Sequence, residues 1–439
     1  MYYDLTIIID RGLSYEALVR LLQAKAAPII LRPNGNITLN PFDTQGLPLT
    51  SECLARIAAL AAEMSGSAPN ETAARLRRAL FTKGSQQLCH DVFEQWQREH
   101  PQDLDSVARL GCILERRRAQ SPEANLLDLF VDFRDWASDH PDEAGALLQE
   151  ITEADLVRTL NDPGTRRQVR DLAFARLSAH EQPTLRMLQE LLQFDASSAD
   201  RSLAHELALL LLPWCADGSH GPLFDGPTNI VLDTPLLYFE LGQIPESDTD
   251  FMSAANFLVQ GWVWQRIYTL PRSRRKRMII EEAAAFLAMP GAADIVQRAY
   301  EQARKYSTWI VTVFQQYSPL RNNPIRAAVL GNSQQFFILK QNDPEDLRQL
   351  AADLNLSQTA VDEILRYPKP EQAGYSAFTY FHRDTPHPVC ATAFHRPSPE
   401  MAYLTTTTGA HVEQRRKELK AGRPLSFSSP PNSQQHQSV

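Results

Sequence analysis

Apolar and polar positions alternate between two periods along this chain. Short β-branched runs mark strands: Leu5-Thr6-Ile7-Ile8-Ile9, Pro28-Ile29-Ile30-Leu31 and Asn36-Ile37-Thr38-Leu39, with Thr228 to Leu232 and Leu236 to Leu241 further on. Met278-Ile279-Ile280, Trp309 to Phe314 and Gln335 to Leu339 follow the same pattern. Between them the period becomes helical. Ala17, Leu18, Leu21 and Leu22 share one face, behind Ser14 as a cap. Leu54, Ile57, Leu60, Ala61 and Met64 form a second stripe. Ala73, Leu76, Leu80 and Phe81, begun by Asn70, form a third. Strand, helix, strand from the first residues predicts a parallel α/β sheet, because parallel neighbours need a crossover between them.

From Gln86 to Leu212 the pattern is almost wholly helical. Leu88, Val92, Phe93, Trp96, Phe130, Phe133 and Trp136 fall at helical spacing and are expected in a core. Arg116-Arg117-Arg118 is expected on a solvated face. The expected organisation is a first α/β part over 1–85, a helical insert over 86–215, a second α/β part over 216–395 and a C-terminal segment with a disordered tail over 396–439. Phe251 to Ile267 is expected to be a helix buried under the sheet. Asp343-Pro344-Glu345-Asp346 and Ser357 begin helices, and Phe378 to Phe381 and Val389 to Phe394 read as edge strands.

Composition changes this picture little. A 43% hydrophobic and 22% charged chain of 439 residues is globular and has core enough for two or three domains. A formal charge of -8 argues against a dedicated nucleic-acid coat. The five cysteines are scattered without CxxC spacing, so neither a disulfide framework nor a zinc site is expected, and a reducing cytoplasm fits. No apolar run approaches the ~20 residues of a membrane span. Pro271 to Arg277 is a basic stretch that reads as a solvated edge, with DNA or acidic lipid contact as the less favoured reading.

The candidate chemistry sits at element ends. Met278-Ile279-Ile280 runs into Glu281-Glu282, as a buried strand does when it delivers carboxylates to the C-terminal edge of its sheet. Asp10 ends the first strand, Arg304 lies in the last turn of a helix, and Gln315 ends the following strand.

Taken with Ile9 to Tyr15, Asn40-Pro41-Phe42-Asp43, Gly221 to Gly226, Phe239-Glu240-Leu241, Ala303 to Tyr306, Phe314-Gln315-Gln316 and Leu330 to Ser333, these segments resemble the conjugative-transfer ATPases of type IV secretion systems, the VirB/TraC/TrbE-like motor family, in that family's order. The resemblance implies a RecA-like, P-loop NTPase-type parallel sheet with a helical insert, a hexameric ring, and ATP and Mg²⁺ as ligands. It implies hydrolysis coupled to pilus assembly or to DNA or protein transfer, by a cytoplasmic protein peripheral to the inner membrane. By the same resemblance Glu282 polarises the attacking water and Glu281 stands where the family has its Mg²⁺-associated Asp. Arg304 reaches a neighbour's γ-phosphate, Gln315 senses it, and Asp10 belongs to the nucleotide site.

The family's phosphate loop is not found: no G-x-x-x-x-G-K-[ST] occurs, and Lys83-Gly84-Ser85 has the wrong order. The expectation is therefore the C-terminal portion of a motor, completed by a chain that carries the loop. A non-hydrolysing scaffold of the same apparatus and a DNA-binding accessory protein are the other readings.

Overall fold

The computed structural model describes residues 3–22, 26–194, 201–230, 234–287, 292–383, 388–405 and 410–421. The first half runs β1 (Leu5–Asp10), α1 (Glu16–Leu22), β2 (Ala26–Ile30), α2 (Ser51–Met64), α3 (Glu71–Glu99), α4 (Pro101–Gln120), α5 (Leu126–Asp139), α6 (Pro141–Gln149), α7 (Glu153–Asn161), α8 (Pro163–Ala173), α9 (Leu185–Phe194) and α10 (Arg201–Leu211). The second half runs α11 (Gly221–Phe224), β3 (Leu236–Glu240), α12 (Thr249–Thr269), β4 (Lys276–Ile280), α13 (Ala283–Leu287), α14 (Ala292–Gln302), β5 (Thr308–Thr312), α15 (Ser318–Arg321), α16 (Arg326–Asn332) and β6 (Gln335–Leu339). It closes with α17 (Pro344–Leu354), α18 (Gln358–Arg366), α19 (Pro370–Ala373), β7 (Ser376–His382), β8 (Val389–His395), α20 (Pro399–Thr405) and α21 (Ala410–Lys420).

Five parallel strands form one sheet in the order β2-β3-β1-β4-β5. β1 and β3 are buried along their whole length, which is why they carry apolar residues at successive positions rather than alternating ones. α12 is buried on nearly all sides, Asn256, Gln260 and Gln265 included, and packs Trp262 edge-on against Phe239 of β3. Because all five strands point the same way, every carboxyl end lies along one edge.

The helical block follows the sequence reading in most respects. Phe93 and Trp96 stack inside α3, and Thr50 and Asn70 cap α2 and α3 by accepting the Cys53 and Ala73 N–H groups. Leu76, expected on an apolar stripe, is exposed. Arg117, expected in solvent, lies over Phe133 and Trp136 at 4.9 and 5.2 Å from the ring centres. α3 continues unbroken through residues 85 and 86. Gly84 at its middle leaves room for Leu188, whose Cδ1 would be 3.1 Å from an added Cβ, so Lys83-Gly84-Ser85 is a helix–helix contact and no phosphate loop.

Three strand expectations need correction. Residues 36–39 form no strand: the Thr38 N–H donates to Asn229 Oδ1 and the Leu39 N–H to the Leu223 carbonyl, so the segment is held by loop bonds. Residues 228–230 are likewise irregular, and 231–233 lie outside the described residues, as do 288–291 at the end of one expected helix and the tail from 422. β7 is no edge strand but the middle of a separate antiparallel sheet, β6-β7-β8.

Lys276 starts β4 and is fully buried, with Nζ donating to the carbonyls of Pro271 (2.7 Å), Arg274 (3.2 Å) and Tyr306 (3.0 Å). Burial pulls its ammonium down from 10.5 to about 8. Between those values the unfolded chain holds a proton that the folded one has released, so this group adds stability as pH rises from 8 towards 10.5. Lys276→Met is expected to remove that rise when urea midpoints are followed across the same window; an unchanged slope would mean the lysine is not the titrating group.

Candidate active site

The carboxyl ends of β3, β1 and β4 place three acids side by side: Glu240, Asp10 and Glu281. Asp10 is almost fully buried and ends β1 by turning back on its own loop. Its Oδ1 accepts the Arg11 N–H and its Oδ2 the Ser14 N–H, both at 2.8 Å. Ser14, expected as a helix cap, is thus itself anchored by Asp10. Glu240 clamps the same loop from β3, with Oε2 accepting the Leu13 N–H at 2.7 Å. Its Oε1 accepts the Gly242 N–H at 2.5 Å. The loop passes so close that a Cβ on Gly242 would stand 2.8 Å from the Arg11 carbonyl carbon and nearer still to its oxygen. Glycine is required there for space.

Tyr238 puts its hydroxyl between Asp10 Oδ2 (2.9 Å) and Glu240 Oε2 (2.6 Å). One hydroxyl proton cannot serve both oxygens. Burial, with Asp10 nearby, pushes the Glu240 carboxyl upward, against the lowering effect of its bonds from Tyr238, Leu13 and Gly242. The same burial pushes the Tyr238 phenol well up.

Glu281 is half-buried beside this pair. Tyr15, from the turn before α1, donates its hydroxyl to Glu281 Oε1. Burial raises the Glu281 pKa first, helped by the charges of Asp10 and Glu282, against the lowering effect of the Tyr15 bond. A carboxyl raised in the folded state costs stability once it ionises. Glu281→Gln, which keeps the acceptor for Tyr15, is expected to raise the urea midpoint at pH 7.5. That gain should vanish as pH falls through 4.5, where the unfolded carboxyl also takes its proton. A gain independent of pH would contradict this.

Glu282 is exposed and stands in the left-handed region, φ 47°. A glutamate there is strained by roughly 1–2 kcal/mol. The chain on each side fixes it: the Glu281 N–H donates to Ile9 O and the Ala283 N–H to Val313 O, each at 2.9 Å. Leu13, Gln45, Ser307 and Asn355 share this left-handed conformation; of the five, Glu282 is the one acid and lies on the sheet's carboxyl edge. Gln315, beyond the end of β5, donates Nε2 to Glu282 Oε1 at 3.4 Å.

The structure therefore brings Asp10, Glu281, Glu282 and Gln315 to one edge. It does not bring Arg304 there. Arg304 is exposed in the turn before β5 and so lies at the amino end of the strands, about 15 Å or more away along a five-residue strand. Glu240, Tyr238 and Tyr15 were not foreseen as site residues. Their signal was the period: Tyr238 and Glu240 are two apart on an otherwise apolar strand, on one face at its end.

The basic loop is largely consumed internally. Arg272 pairs with Asp128 and Asp132, Arg274 with Asp4, Lys276 is buried, and Arg277 lies 4.7 Å over the Tyr3 ring. Asp10 and Glu240 spend both oxygens on protein donors, which leaves Glu281 and Glu282 as the carboxylates of this edge with an oxygen to offer an ion; among the described residues no three His, Cys, Asp or Glu side chains converge as a metal site.

A five-stranded parallel sheet beside a large helical block is a mixed α/β fold of the P-loop NTPase-like type. The chain belongs to the TraG P-loop domain family, whose model matches residues 187–415, just over half of it, and with that family to the conjugative-transfer ATPase-like proteins of type IV secretion. Among solved structures it is similar to VirB4 of Thermoanaerobacter pseudethanolicus, at 16% identity and a TM-score of 0.54, covering 91% of this chain and 83% of that one. A looser likeness, TM-score 0.39 at 14% identity, is to the plasmid coupling protein TrwB in complex with the non-hydrolysable ATP analogue ADPNP, covering 90% of this chain and 87% of that one. No curated protein matches the chain. Among the described residues no helix is long and apolar enough to cross a membrane.

Proposed function

We propose that this chain is the ATPase portion of a conjugative-transfer motor. It works in a hexameric ring against the inner membrane and energises pilus assembly or the transfer of DNA or protein. The Glu282–Gln315 pair carries this reading. Glu282 is exposed, unburdened by internal salt bridges among those described, and held by its backbone where a water can be polarised towards a γ-phosphate. Gln315, bonded to the same carboxylate, is positioned to register that phosphate. Asp10 and Glu240 shape the loop beneath, and Glu281 sits beside the water position, half-buried and accepting the Tyr15 hydroxyl. Arg304, at the far end of its own sheet, serves a neighbouring subunit's nucleotide. The phosphate cradle and the ligands that complete an Mg²⁺ site come from a Gly-Lys-Ser/Thr loop outside the given sequence.

ATP turnover by the purified chain, alone and mixed with a loop-bearing subunit of the same apparatus, tests this. Turnover in the mixture that disappears with Glu282→Gln supports it. Stoichiometric partner binding without turnover sinks it and favours the second reading, a non-hydrolysing scaffold. That reading draws on one observation: no phosphate loop occurs in the sequence.

A further inference from the structure

Three arginines line one concavity of about 410 Å³: Arg321 at the end of α15, Arg326 at the start of α16 and Arg383 just after β7. A single carboxylate, Asp353 of α17, lines it with them, and the other lining residues carry no charge. Asp353 has little left to give. Its Oδ1 pairs with Arg326 Nη2, and its Oδ2 accepts the Tyr317 hydroxyl. Arg383 donates Nη1 to the Leu330 carbonyl at 2.8 Å, and its guanidinium stands 5.3 Å from the centre of the Phe336 ring. That fixes the guanidinium without supplying a negative charge. The half-buried Arg321 side chain makes no hydrogen bond or ion pair among the described residues.

Three like charges gathered against one already engaged acid call for an anion. All three are arginines, whose planar fork of N–H donors matches phosphate oxygens. Arg321 and Arg383 both lack a counter-charge among the described residues, so a dianion balances them where a carboxylate or a phosphodiester brings one charge only. A phosphate monoester is such a dianion above its second pKa of about 6. A nucleic-acid strand instead needs cations spread along its backbone, not gathered in one hollow that also holds an aspartate. Pro324, Ala327 and Leu330 supply an apolar wall for the organic group of an ester, and the volume is that of a small-molecule site.

We propose that this concavity binds a phosphate monoester dianion, carried by a free small molecule or by a phosphorylated side chain. The phosphate takes Arg321 and Arg383 and competes with Asp353 for Arg326. The motor reading neither assigns this site nor needs it.

The probe is phenyl phosphate, titrated into the full chain by calorimetry at constant ionic strength and without nucleotide. Saturable binding is expected. It should weaken about tenfold in Arg321→Gln, whose side chain holds nothing else in place, and tighten about tenfold in Asp353→Asn, which removes the competing charge but keeps an acceptor for Tyr317. A damaged fold cannot produce that gain. Methyl phenyl phosphate, a diester with one charge, should bind about tenfold more weakly, and phenyl phosphate itself should weaken as pH falls through about 6. A phosphoserine peptide that binds more tightly than phenyl phosphate makes a protein-borne phosphate the source; one that binds no better makes it a free molecule. No saturable binding, equal binding of monoester and diester, or binding indifferent to Arg321→Gln overturns the proposal. A single-stranded oligonucleotide that binds more tightly than phenyl phosphate, and loses that advantage in Arg321→Gln, makes nucleic acid the occupant and also overturns it. No ATP is present, so phosphate binding here and ATP turnover fail or succeed separately.

Discussion

Glu282→Gln is expected to lower ATP turnover of the completed assembly by at least ~100-fold, the usual scale for removing a general base, with partner binding unchanged. Glu282→Gly separates chemistry from architecture. Glycine adopts φ 47° without steric cost, so this variant should also lose turnover while gaining roughly 0.5–1 kcal/mol in denaturant unfolding. Loss of activity together with a gain in stability identifies strain retained for function. If Glu282→Gly were both active and more stable, Glu282 would be an accident of the turn. Turnover is read by phosphate release at saturating ATP and stability by urea titration of the chain alone.

The second large effect is structural. Gly242→Ala forces a methyl group against the Arg11 carbonyl, which is main chain and cannot swing aside. A loss of about 1–3 kcal/mol is expected, as for other overpacked sites. The damage should be local at first, because Gly242 N–H, Glu240, Tyr238, Asp10 and Leu13 N–H form one connected clamp. Hydrogen exchange at Leu13 and Ser14 should quicken before that of β1. Gly145→Ala is the contrasting control. It sits inside α6 with nothing within 4 Å of an added Cβ, and should gain about 0.5–1 kcal/mol from helix propensity. Equal effects at the two sites would show that close approach at Gly242 is not what matters.

The strands were legible in the sequence where burial on both faces leaves no alternation, as in β1 and β3, and β4 by its apolar run Met278-Ile279-Ile280. Caps at Asn70, Asp343 and Ser357 were legible because the donors they satisfy are local: each side chain accepts an N–H two or three residues on. Residues 36–39 were misread because a β-branched run becomes a strand only if a neighbour pairs with it, and Thr38 and Leu39 find loop partners instead. Arg117 was misread because cation–π burial depends on two aromatic residues of another helix. In the site, Glu281, Glu282 and Gln315 could be placed from the apolar runs before them. Arg304 could be assigned to a helix end, yet which end of the sheet it meets follows only from strand direction. Glu240 and Tyr238 escaped notice because an acid and a phenol closing an apolar strand look like ordinary strand residues until Asp10 is brought alongside.

α3 has a mechanical meaning as well. At 29 residues it spans about 44 Å as a single rod, held at one end against α2 beside the parallel sheet and packed further along against α9, α8 and α4. A helix of that length bends little, and its one glycine is wedged by Leu188 rather than left as a joint. The helices flanking the sheet and the helical block therefore share one continuous element rather than two joined by a loop.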